Sequence, residues 1–128
     1  MKEAPLILVA DDEPLVAHTL VEILKAEGFR AISVTNGAAA VEWAERARPA
    51  VVICDVMMPT LDGIEAAKRI RKLLPDTEIV LFSGQAASGS MIDRACAEGY
   101  TFKVLPKPIR PDLLLQLIRE MTGMESTK

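Results

Sequence analysis

Short apolar runs alternate with longer stretches of helical periodicity along the whole chain. The runs are Leu6–Ala10, Arg30–Val34, Val51–Cys54, Ile79–Phe82 and Phe102–Leu105. Their length and bounding polar residues predict strands. Between them, apolar or small residues recur at spacings of three and four, which predicts helices. Leu15, Thr19, Ile23 and Leu24 mark the first helix, and Val41, Ala44 and Ala47 the second. Ile64, Ala67, Ile70 and Leu74 mark the third, Met91, Ala95 and Ala97 a weaker fourth, and Leu114, Leu117, Ile118 and Met121 the fifth. Pro14 and Pro111 suit a first helical turn, where a missing N–H costs nothing. Asp62-Gly63-Ile64-Glu65 reads as a capping-box variant, with an acceptor at the cap and Glu three residues on. Gly28, Gly99 and Gly123 fall where helix C-termini favour a left-handed residue.

Five strands with helical crossovers make a parallel sheet with helices on both faces. Strands 1, 3 and 4 are continuously apolar, as strands buried on both faces must be. Arg30-Ala31-Ile32-Ser33-Val34 alternates, and Phe102-Lys103-Val104-Leu105 carries a lysine, so strands 2 and 5 read as edges. The doubly wound order that satisfies this is 2-1-3-4-5, a flavodoxin-like (βα)5 α/β fold.

Composition narrows the function. The chain has 128 residues, half of them apolar and 26% charged, which fits one folded unit spanning 1–128. Its core is expected over about 5–122, with 123–128 a short tail. A net charge of −3 and few aromatics argue against nucleic-acid binding. The first apolar run is short and ends on Asp11-Asp12-Glu13, unlike a secretory signal. No stretch approaches the roughly 20 apolar residues of a membrane span. Cys54 and Cys96 lie in apolar runs without metal-like spacing and read as buried, reduced cysteines. A cytoplasmic location is expected.

The polar residues that break the pattern fall at strand ends. Strand 1 ends in Asp11-Asp12, strand 3 in Asp55 and strand 4 in Ser83, and strand 5 leads through Pro106 to Lys107. In a parallel sheet these ends share one edge, the edge where open α/β sheets bind ligands. Each residue alone fits a plain role, as cap, loop acid, turn residue or surface lysine. Their joint placement points to a site. Converging carboxylates repel unless protons or a cation relieve them. An oxygen-only set selects a hard cation, Mg²⁺ or Mn²⁺, which favours a phosphoryl oxygen as a further ligand. A carboxylate beside such an ion can attack phosphorus and form an aspartyl phosphate.

These residues resemble the receiver domain of two-component response regulators. The likeness covers nearly the whole chain. It rests on Ile7-Leu8-Val9-Ala10-Asp11-Asp12-Glu13, on Val52 through Pro59 with Asp62-Gly63, on Leu81-Phe82-Ser83-Gly84, and on Leu105-Pro106-Lys107-Pro108. It implies Asp55 as phosphoacceptor. It implies Mg²⁺ held by Asp12 directly, by Asp11 through water, by Asp55 and by the Met57 backbone carbonyl. Lys107 would pair with the phosphoryl oxygens, and Ser83 would donate its hydroxyl to them. A cis Lys107–Pro108 bond and a close turn at Gly63 are implied too. The donor would be a histidine kinase or histidine phosphotransfer protein. The output would be a protein target on the helix 4–strand 5–helix 5 face, with no nucleic acid or membrane as partner. The chain would be a stand-alone signalling protein, an enzyme only toward its own phosphorylation and dephosphorylation.

One position departs from the family pattern. Three residues before the lysine the family usually carries an aromatic, and here Val104 stands there. Phe102 and Tyr100 are the nearest candidates to replace it, and Gln85 through Ser90 suit a mobile start to the fourth helix. A receiver fold working without phosphate is therefore an alternative. A phosphohydrolase of the haloacid dehalogenase type is another, although Met57 occupies the place of its usual second acid. His18 and Trp43 read as an ordinary helix residue and a packing residue. The breadth of Leu113-Leu114-Leu115 with Leu117 and Ile118 fits either core alone or core plus a docking face.

Overall fold

The computed structural model of the protein describes residues 4–58, 61–84 and 86–124, the side chains of 86–90 excepted. The order is β1 (Leu6–Ala10), α1 (Pro14–Ala26), β2 (Arg30–Val34), α2 (Gly37–Ala47), β3 (Val51–Asp55), α3 (Gly63–Leu73), β4 (Glu78–Ser83), α4 (Ala86–Ala97), β5 (Lys103–Pro106) and α5 (Pro111–Thr122). All pairings are parallel and the sheet order is β2-β1-β3-β4-β5. The flavodoxin-like topology read from the apolar runs is the one observed.

Alternation along the strands divides the core in two. Leu8, Ala10, Val52, Cys54, Ile79 and Leu81 face α2, α3 and α4. Ile7, Val9, Val51, Ile53, Val80 and Phe82 face α1 and α5. The isoleucines and leucines among these strand residues are fully buried or nearly so. Each removes enough apolar surface from water to favour folding by about 1.5–3 kcal/mol.

Local chemistry sets the element ends. Asn36 caps α2 by accepting the Ala39 N–H at 2.7 Å. Asp62 caps α3 in the same way, accepting the Glu65 N–H at 2.9 Å as the capping-box pattern predicts. Pro14 and Pro111 open α1 and α5. Gly28, Gly99 and Gly123 all adopt positive φ, as expected after helices. Gly37 serves close approach instead, since a Cβ there would lie 2.0 Å from the Leu61 carbonyl oxygen.

Four expectations need correction. Cys96 is exposed rather than buried, while Cys54 is buried as expected. Leu15 is 77% exposed, because α1 buries Ala17, Leu20, Val21 and Leu24 instead. The last strand begins at Lys103, so Phe102 precedes it and packs against the α2–α3–α4 side of the core. Trp43 packs only in part, being 43% exposed, and lines a groove with Lys25 and Ile32 at the β2 edge. The expectation for Gln85 through Ser90 lies outside the described residues and side chains, as does Pro59.

Candidate functional site

The polar strand ends meet as the topology requires. β1 and β3 are neighbours, so Asp11 and Asp55 emerge side by side. Asp11, Asp12 and Asp55 each offer a carboxylate oxygen within 4.8 Å of the others. Asp11 and Asp55 are buried and Asp12 is exposed. Lys107 enters from the chain beyond β5. Its Nζ lies 2.8 Å from Asp55 Oδ2 and 3.7 Å from Asp11 Oδ2.

The backbone holds these groups in place. The Lys107 N–H donates to the Ser83 carbonyl at 3.1 Å, which extends the β4–β5 ladder by one residue. The Lys107–Pro108 bond is cis, as the family likeness implies. Asp11 Oδ1 accepts the Glu13 N–H at 2.9 Å, and Asp55 Oδ1 accepts the Met57 N–H at 3.2 Å. Gly63 is required by contact, because a Cβ there would sit 2.0 Å from the Asp55 carbonyl oxygen. Gly84 leaves room for the Lys107 side chain, whose Cβ would be 3.0 Å from an added methyl.

Electrostatics mark the site as strained without a cation. Burial pushes the Asp11 carboxyl above its ordinary range. The Glu13 N–H and Lys107 pull it back only in part, and the Asp55 and Asp12 charges push it further up. Burial alone would lower the Lys107 pKa, but the hydrogen bond to Asp55 and the charges of Asp55, Asp11 and Glu13 outweigh it and raise it. Cys54 is held neutral, its thiol pushed far up by burial and by neighbouring carboxylates. Asp11 Oδ2 is buried with no hydrogen-bond partner. A buried carboxylate oxygen without a donor is costly. Three carboxylates with one orphaned oxygen and no nitrogen or sulfur donor fit a hard divalent cation.

The structure thus brings together Asp11, Asp12, Asp55 and Lys107, with Ser83 at the end of the neighbouring strand. The Met57 side chain is 47% exposed and points to no ligand role of its own. His18 stays apart, exposed on α1 and 3.7 Å from Glu22. The sequence reading missed the Glu13 and Met57 N–H groups that orient Asp11 and Asp55. Main-chain donors leave no mark in side-chain identity. Gly84 stood in the Leu81-Phe82-Ser83-Gly84 motif, but the room it leaves for Lys107 is a contact between segments that the sequence does not show.

Comparison with known proteins places the chain in a family. The model of the response regulator receiver domain matches residues 7–119. The chain belongs to that family, the phosphoacceptor domains of two-component signalling. Chemotaxis protein CheY of Bacillus subtilis (strain 168) is 32% identical over 115 residues, 89% of this chain and 94% of that protein. A protein-glutamate methylesterase/protein-glutamine glutaminase of Myxococcus xanthus is 37% identical over 115 residues, 88% of this chain. The chain spans only 32% of that relative's length. Among solved structures, the receiver domain of a sensor histidine kinase from Pseudomonas aeruginosa PAO1 superimposes with a TM-score of 0.80 at 28% identity, covering 94% of this chain and 98% of that one. That structure has a magnesium ion coordinated in its active-site cleft. Among the described residues no helix is long and apolar enough to cross a membrane.

Proposed function

We propose that Asp55 accepts a phosphoryl group from a phosphohistidine of a partner protein in a Mg²⁺-dependent reaction. The observation that carries this reading is the trio Asp11, Asp12 and Asp55 around an orphaned carboxylate oxygen, with Lys107 2.8 Å from Asp55. Asp11, Asp12, Asp55 and the Met57 carbonyl would hold the ion, with Mn²⁺ a substitute. When bound, the ion supplies charge neutralisation on the transferring phosphoryl oxygens.

The chain's own residues do the rest. An Asp55 carboxylate oxygen attacks phosphorus, the bond from phosphorus to the donor imidazole nitrogen breaks, and that nitrogen keeps the electron pair. Lys107 then exchanges its contact with Asp55 for the phosphoryl oxygens as a positive point charge. Ser83, at the adjacent strand end, donates its hydroxyl to the same group. The donor protein is a histidine kinase or histidine phosphotransfer protein, and the reaction takes place in the cytoplasm. The phosphoryl group carries up to about −2 in place of the carboxylate's −1, and this change of about one charge, with three new acceptor oxygens, shifts a two-state equilibrium and alters a protein-binding surface. The α4–β5–α5 face suits that role, with Val104 and Leu113 exposed on it. A net charge of −3 favours a protein over nucleic acid as the target.

Incubation with Mg²⁺ and acetyl phosphate, read by intact mass, tests the reading. Wild type is expected to gain one phosphoryl group and Asp55→Asn none. An unmodified wild type, or an undiminished adduct on Asp55→Asn, defeats it.

A further inference from the structure

The position where an aromatic is expected on β5 holds Val104, which is 38% exposed. Two other aromatics lie just before the strand. The rings of Tyr100 and Phe102 stack with centroids 5.9 Å apart and planes 14° from parallel. Both pack partly buried against the α2–α3–α4 side of the core. Each ring carries a cation from α3, with Lys68 Nζ 5.6 Å from the Tyr100 centroid and Arg71 Cζ 5.9 Å from that of Phe102. These distances lie within cation–π range. Lys68 and Arg71 are three residues apart on a helix, so they present one face.

The same two cations tie α3 to its surroundings. Lys68 Nζ lies 2.5 Å from Glu98 Oε1, just past the end of α4, and 3.5 Å from Glu65 on its own helix. Arg71 donates to the Pro75 and Thr77 carbonyls at 3.1 and 2.8 Å, where the chain turns into β4. The Lys68 side chain is only 14% exposed, while its two carboxylate partners are about half exposed. Lys68 also has two carboxylate partners, one across the junction and one on α3. Both contacts are made at once, the one to Glu98 being the shorter.

The other end of α3 rests on the site. The Gly63 N–H donates to the Val56 carbonyl at 2.8 Å, and Val56 donates in turn to Phe82 on β4 at 3.0 Å. The contact of Gly63 with the Asp55 carbonyl leaves no space even for a methyl group. Any shift of the backbone after Asp55 therefore pushes directly on the first turn of α3. Lys68 lies five residues further on, about 7.5 Å along the helix axis.

We propose that α3, through Lys68 and Arg71 acting on the Tyr100–Phe102 stack, transmits the change at Asp55 to the α4–β5 edge in this chain. This route takes the place of an aromatic at position 104, and it rests on the phosphoacceptor reading above. Lys68 and Arg71 are positioning residues that touch neither metal nor phosphate. Phosphorylation loosens Lys68 from Glu98 toward Glu65, and the stack and the end of α4 respond together.

Tyr100 is the sole tyrosine, so 3-fluorotyrosine gives one ¹⁹F resonance at the stack. Spectra are recorded with Mg²⁺ before and after acetyl phosphate, and intact mass is measured on the same samples. The wild-type resonance is expected to move when the adduct forms. In Lys68→Met with Arg71→Met the adduct forms as in wild type and the displacement falls by more than half. Lys68→Gln serves if the double variant does not fold, and the sole tryptophan, as 5-fluorotryptophan at Trp43, reports on folding. An adduct in wild type without displacement overturns the proposal, as does a full displacement in the variants. Failure to form any adduct overturns the phosphoacceptor reading itself, and with it this route.

Discussion

The middle of the sheet and its β5 end are built to different standards. Every residue of β3 is buried, and β1 is buried except at its first residue. On β5 no residue is fully buried, and Lys103, Val104 and Pro106 are exposed. The helices follow suit. α1 buries four side chains, whereas Ala95 is the only buried one among the described side chains of α4. Phosphoryl chemistry requires groups held to fractions of an ångström, and a tightly packed strand pair provides that. A signalling surface must be able to rearrange at modest cost, and a thinly packed margin provides that. The molecule separates the two tasks across its width, with Lys107 spanning them.

Deleting apolar carbon in each region tests the contrast most severely. Ile53→Ala on β3 is expected to lower unfolding free energy by about 4 kcal/mol in urea titration, since the site is fully buried and cannot collapse. A loss under about 1 kcal/mol would mean that the packed middle is softer than its burial implies.

The next effect is on ion binding. The Asp11 carboxyl has its pKa raised above the ordinary 3.8, so it holds a proton at pH values where a free aspartate has lost it. A divalent cation must displace that proton. Mg²⁺ affinity by calorimetry is therefore expected to fall as pH drops through the raised value, approaching about tenfold per pH unit. Onset only near 3.8 would contradict the burial of Asp11.

Stability without metal runs in the opposite direction with pH. Folding raises the Asp11 pKa, so its contribution is favourable at low pH and declines as pH rises from 3.8 through the raised value. Asp11→Asn removes the charge and keeps an acceptor for the Glu13 N–H. It is expected to stabilise the metal-free protein by about 1 kcal/mol and to abolish stabilisation by Mg²⁺. Lys107 follows the same direction in a higher pH window. Its raised pKa favours folding at neutral pH, and that contribution is lost as pH climbs past 10.5.

The smallest effect belongs to the open end. Val104→Ala on β5 is expected to change unfolding free energy by less than about 0.5 kcal/mol. A cost of about 2 kcal/mol or more would erase the distinction between the two regions.

Strand positions were legible because burial on both faces demands unbroken apolar runs, and Val51–Cys54 is such a run. Strand ends were less so. β3 extends to Asp55 and β4 to Ser83, because pairing there depends on backbone and not on side-chain polarity. The acidic trio was legible because topology alone brings β1 and β3 together. Helix faces were harder. α1 carries a second apolar stripe through Leu15 and Ile23, and only the sheet decides which stripe is covered. α4 is weakly patterned, so nothing in sequence distinguished exposed Cys96 from buried Ala95. The Lys68–Tyr100 and Arg71–Phe102 pairs join segments about thirty residues apart, and no local pattern announces them.

Gly37 and Gly63 also bear on how this sequence can drift. Both back onto main-chain carbonyls flanking the turn from β3 to α3, at Leu61 and at Asp55. A surface position can be explored in small chemical increments, each with a small effect. These two cannot, because the step from hydrogen to methyl is the smallest the genetic code offers and it already exceeds the space. Variation at either position therefore has to arrive together with a compensating change in the turn itself. The route by which such a chain acquires a new output lies at its thin margin, where single substitutions remain affordable.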